Sequence, residues 1–109
     1  MTNPSKRKGS DGEREFAKLL ATWGIPEAAR MPLSGAIPDF PGDVRLDGFC
    51  VEVKRTERLD LWGAIRQAAA AARGWRIPIV AFRRNRSEWY VIEPAQSWAA
   101  RVVAEREAG

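Results

Sequence analysis

Histidine is absent from the 109 residues of this chain. That absence excludes Ser-His-Asp triads, Cys-His pairs, imidazole-bound zinc and any hydrolase that relies on a histidine general base. Cysteine occurs once, at Cys50, so the chain can form neither an internal disulfide nor a cysteine metal cluster. The residue sits in an apolar stretch and reads as core. No apolar run approaches the ~20 residues that a membrane helix requires. The basic residues Lys6, Arg7 and Lys8 have no apolar stretch behind them, unlike a secretory signal. The expectation is a cytoplasmic protein with no membrane partner. Any catalysis must then run on carboxylates, lysine and a hard metal ion.

What is present is ordinary for a globular chain. The hydrophobic fraction is 45%, and the net charge of +4 with a pI near 9.8 suits a polyanionic partner without requiring one. A chain of this size buries roughly 60–70% of its unfolded surface, enough for one core. The reading is a flexible basic arm over residues 1–9 and a single domain over 10–109.

Periodicity gives the element order. Ser10 followed by Glu13 has the form of a capping box, and Phe16, Leu19, Leu20 and Trp23 then fall on one helical face until Gly24 and Pro26. Residues 27–33 read as a short strand and 34–42, rich in Gly and Pro, as a loop. Val44–Leu46 and Phe49–Lys54 read as a hairpin turning at Asp47-Gly48, a type I′ signal. A helix follows over Leu61–Arg73, capped by Asp60, with Leu61, Trp62, Ile65, Ala68, Ala69 and Ala72 inward. Ile77–Phe82 is an apolar run suited to a strand covered on both faces. Glu88–Ile92 reads as another strand, and Pro94 opens a last helix with Trp98, Val102 and Val103 inward. The order α-β-β-β-α-β-β-α predicts an α/β fold with a mixed central sheet flanked by helices. Trp23, Trp62 and Trp98 are expected in the core, and Trp89 in a strand core or an interface.

Chemistry concentrates in Pro41-Gly42-Asp43-Val44 and Val51-Glu52-Val53-Lys54. Alternation along a strand sends Val51 and Val53 to one face and Glu52 and Lys54 to the other. If the two strands pair, Asp43 and Glu52 can share a divalent cation, for which Mg²⁺ with its oxygen preference is suited. Such an ion acidifies a bound water and neutralises phosphorane charge, while Lys54 holds the water or a phosphate oxygen. Glu13 can reach the same ion from a first helical turn, where the helix dipole also favours a carboxylate. Structural alternatives exist for each: Asp43 as a cap of the hairpin, Glu52 and Lys54 as a solvated strand face, and Glu13 as a capping-box residue alone. The combination favours the site, although Pro38-Asp39 offers Asp39 as a second candidate for the acidic ligand.

The chain resembles the PD-(D/E)XK nuclease superfamily, and within it the archaeal-type and phage Holliday junction resolvases. The matching residues are Arg7-Lys8-Gly9, Glu13-Arg14-Glu15, Arg30 with Ser34-Gly35, Pro41-Gly42-Asp43, Val51-Glu52-Val53-Lys54 and Gln67, spanning about residues 7–92. The resemblance implies a restriction-endonuclease-like fold and a Mg²⁺-dependent DNA endonuclease, with Mn²⁺ able to substitute. It implies metal ligation by Glu13, Asp43 and Glu52, and a catalytic role for Lys54. Ser34 would sit in an active-site loop, or else be a turn serine. Gln67 would support the site, or else be a solvated helix residue. DNA contacts would come from Lys6, Arg7, Lys8, Arg30, Arg55, Arg58, Arg83 and Arg84, with Arg86 completing a basic turn. The implied substrate is a branched duplex, foremost a four-way junction, cut by paired nicks from a homodimer in the cytoplasm, or the host cytoplasm for a phage protein. The alternatives are a related nuclease for flaps, nicks or linear duplex, and a catalytically silent DNA-binding module.

Overall fold

The structure, a computed structural model, describes residues 4–30 and 43–109, with side chains from 11–29 and 43–109. Its elements run α1 (Pro4–Thr22), β1 (Ala29–Arg30), β2 (Val44–Arg45), β3 (Phe49–Arg55), α2 (Leu61–Ala72), β4 (Ile77–Arg83), β5 (Tyr90–Ile92) and α3 (Ala95–Ala108). The sheet has the order β1-β2-β3-β4-β5. It is mixed: β3 and β4 run parallel, joined through α2, and every other neighbouring pair is antiparallel. The α/β architecture and element order agree with the sequence reading.

Alternation along the two central strands builds two apolar layers. Val51 and Val53 of β3 with Ile79 and Ala81 of β4 face α1 and meet Phe16 and Ala17. Val80 of β4 faces α2 and meets Ala64 and Ala68. Strands covered on both faces read as continuous apolar runs, as β4 does. Cys50 is fully buried on β3.

Several expectations need correction. Helix α1 begins at Pro4, so residues 4–9 are helical rather than an arm, and Ser10 and Glu13 lie inside the helix. Proline at a helix start costs no hydrogen bond, which explains the earlier onset. Glu13 is therefore no capping-box residue and gains nothing from the dipole of a first turn. The 47–48 turn is not type I′, which requires positive φ at both central residues. Only Gly48 has it (φ +86°), with Phe49 N–H donating to Leu46 O at 3.0 Å, the pattern of a type II turn.

Trp23, Trp62 and Trp98 are exposed, at 61%, 67% and 59%, rather than core. On α2 the buried stripe is Ala64, Ala68 and Ala72. This row of small side chains seats the helix close to the sheet, rotating Trp62 and Ala69 outward. Helix α3 buries no residue. It is held by Glu93, which pairs with Arg101 and accepts from Ser97 Oγ at 2.7 Å.

Candidate active site

The carboxylate pair is built by the β2–β3 hairpin. Val44 pairs with Val51, which sets Asp43 opposite Glu52 at the end of the ladder. Asp43 N–H donates to Val51 O at 2.7 Å. Its own Oδ2 accepts from Val53 N–H, also at 2.7 Å. The aspartate side chain thus replaces the strand partner that β2, only two residues long, cannot offer Val53. That role fixes the carboxylate beside Glu52 instead of leaving it a free rotamer.

Both carboxylates are buried, Asp43 at 7% and Glu52 at 3% exposure. Glu52 Oε2 has no hydrogen-bond partner. Burial, then the charge of Asp43 and a hydrogen bond to it, pushes the Glu52 carboxyl up to about 8. Lys54 opposes that rise and Glu13 adds to it, so all four groups act on one locus. Lys54 is on the same face of β3 as Glu52, and its Nζ donates to Gln67 Oε1 of α2 at 2.8 Å. Parallel β3–β4 pairing with α2 as the crossover lets a helix residue thirteen positions on hold the lysine.

The second layer of the site is an ion-pair cluster that the sequence did not single out. Glu15 of α1 receives Arg83 of β4 at both oxygens, with Nε 2.7 Å from Oε1 and Nη2 3.2 Å from Oε2. Trp89 Nε1 also donates to Glu15 Oε1 at 2.8 Å. Burial raises the Glu15 carboxyl, but the hydrogen bonds of Arg83 and Trp89 and the charges of Arg83 and Arg55 outweigh it, leaving it below its ordinary value. Glu15 stood in the Glu13-Arg14-Glu15 motif, but no spacing tied it to these partners, which lie 68 and 74 residues away. Close by, α1 crosses β3 at Gly12, where an added Cβ would stand 2.6 Å from Arg55 Cβ.

Arg83 was expected at DNA; the structure engages it with Glu15, its side chain 17% exposed. Arg58 and Arg84 are exposed beyond the ends of β3 and β4. Arg55 is half-buried against α1. Ser34 and Asp39 lie outside the described residues, as do the side chains of Lys6, Arg7, Lys8 and Arg30. Among the described residues no three Asp, Glu, Cys or His side chains are grouped tightly enough to hold an ion. The two acids that do meet, with a partnerless buried oxygen and no soft donor, have the chemistry of a hard divalent cation site. No described helix is long and apolar enough to cross a membrane.

The model of one protein family, described as phage putative PDDEXK endonuclease, matches residues 4–107. No curated protein matches the chain.

Proposed function

The chain belongs to that phage family of PDDEXK endonucleases, and from this membership we propose a Mg²⁺-dependent endonuclease that resolves four-way DNA junctions. The observation that carries the reading is the buried Asp43–Glu52 pair, two acids in mutual contact with Glu52 Oε2 left without a partner. Two like charges held together out of water are costly unless a proton or a cation sits between them. Asp43 and Glu52 would hold the ion, with Glu13 approaching from α1. When bound, the ion supplies a more acidic water and charge neutralisation at the phosphate. Asp43 is oriented by the Val53 amide, and Lys54, steered by Gln67, presents N–H groups to a non-bridging phosphate oxygen or to the attacking water. Hydrolysis adds the water oxygen to phosphorus and breaks one P–O bond, and the leaving alcohol takes up a proton.

The DNA surface follows from the same end of the sheet. Arg55, Arg58 and Arg84 stand where β3 and β4 finish, and the first two turns of α1 carry Lys6, Arg7 and Lys8 in sequence. Arg30 and Ser34 are assigned to this surface from the sequence motif alone. Two symmetric nicks at a junction call for a two-fold homodimer.

The test is cleavage of synthetic four-way junctions, flaps, nicked and linear duplexes with Mg²⁺. Junction cleavage well above linear-duplex cleavage is expected, and equal cutting of all substrates refutes the resolvase reading. Mn²⁺ is expected to substitute, and Ca²⁺ to support binding without hydrolysis. Asp43→Asn and Glu52→Gln are expected to abolish cleavage while retaining DNA binding. Undiminished cleavage by either variant, or in excess chelator, refutes the site.

A further inference from the structure

We propose that Glu15 is a positioning residue: held by Arg83 and Trp89, it fixes the depth of α1 and so how far Glu13 stands from the Asp43–Glu52 pair. The inference rests on the proposed metal site and adds the contacts that fix the helix carrying Glu13. Glu13 and Glu15 are two residues apart on one helix, so any displacement of Glu15 along or away from the sheet carries Glu13 with it. The clamp has three independent contacts. Arg83 Nη2 donates to Glu15 Oε2, and its Nε stands at ion-pair distance from Oε1 without hydrogen-bond geometry, a two-point hold set by the planar guanidinium. Trp89 donates to the same carboxylate. Its ring also meets Phe16, the next residue of α1, with centroids 4.9 Å apart. On the far side of Glu13, Gly12 lets the helix backbone close onto Arg55 of β3. Glu13 is thus bracketed by a residue that closes onto β3, the strand carrying Glu52, and a residue held by Arg83 of the neighbouring β4.

Arg83 and Trp89 sit at the two ends of the β4–β5 connection, and Asn85 within it donates N–H to Glu57 Oε2, just beyond β3, at 2.7 Å. The clamp is therefore tied to the same strand that carries Glu52 and Lys54, and a shift of α1 is resisted from both strands. Glu15 itself touches neither Asp43 nor Glu52 and does no chemistry.

The experiment is Mn²⁺ binding by titration calorimetry on the protein without DNA, alongside thermal melting. The variants are Glu15→Gln, Arg83→Lys and, as a control for stability alone, Asp60→Ala at the α2 cap. Glu15 acts on Glu13 through the helix and not by a bond to a ligand, so Glu15→Gln is expected to weaken Mn²⁺ by about 10-fold, the lower end of what groups supporting metal ligands contribute. Arg83→Lys keeps the charge and is expected to weaken Mn²⁺ less than Glu15→Gln. Asp60→Ala is expected to melt earlier with unchanged Mn²⁺ affinity. Wild-type affinity in a Glu15→Gln protein that melts earlier overturns the positioning role and leaves the metal site standing. Wild-type protein that binds no Mn²⁺ overturns the metal site, and the positioning role with it.

Discussion

Removing the charge of Glu52 should stabilise the metal-free protein at alkaline pH. The folded state raises this carboxyl from 4.5 to about 8, first by burial and then by Asp43. Its proton is therefore held more tightly folded than unfolded. Stability is fully present below about 4.5 and is lost as pH rises toward 8, because deprotonation then sets two buried carboxylates against each other. At about 1.4 kcal/mol per pH unit the displacement has a ceiling near 5 kcal/mol. Relaxation of the pair and entry of water take part of this, leaving about 2–3 kcal/mol. Glu52→Gln keeps the shape and removes the titration. Unfolding by urea in the presence of chelator, at pH 5 and at pH 8.5, gives the comparison. The variant should gain about 2–3 kcal/mol on wild type between the two pH values, or roughly 10–15 °C in Tm for a domain of this size. Mg²⁺ should restore wild type at pH 8.5 and leave the variant unchanged, since binding to the folded state alone stabilises it. Parallel pH profiles for the two proteins would refute the account of a charged pair held apart from water.

Three further outcomes follow from the geometry. Gly12→Ala places a methyl 2.6 Å from Arg55 Cβ, at the root of the side chain where no rotamer relieves it; α1 must lift, costing about 1–3 kcal/mol by urea unfolding and weakening Mn²⁺ binding. Lys54→Met should reduce kcat by about 10²–10³-fold with DNA affinity little changed, and Gln67→Ala should reduce it less, both read by single-turnover cleavage. Asp60→Ala removes the acceptor of Gly63 N–H at 3.0 Å, which should cost about 1 kcal/mol in denaturant unfolding without altering the cleavage rate.

The central elements were legible because their patterns are strong. The Glu-x-Lys strand, the apolar run at 77–82 and the Asp60 cap each correspond to an observed feature. The start of α1 was not legible, because Gly9, Ser10 and Gly12 look like the edge of a helix. Gly12 is tolerated inside it since the reward lies in tertiary contact with Arg55, which no local rule contains. The tryptophans misled for a related reason. Helical periodicity alone puts the largest apolar residues inward, but α2 approaches the sheet through alanines and leaves no room for Trp62. In the site, the facing of Asp43 and Glu52 followed from hairpin register. The Glu15 clamp did not, since its arginine and tryptophan come from the far end of the chain.

The lone thiol of the chain has a practical consequence. Cys50 is wholly enclosed at the centre of the sheet, and burial, reinforced by the charge of Glu52, pushes it up to about 11. At neutral pH it is a shielded, protonated sulfur that alkylating reagents meet only when β3 comes away from its neighbours. Its modification rate accordingly counts excursions of the central strand. A fluorophore can be attached through a second cysteine introduced on the outside of the molecule without first replacing the native one.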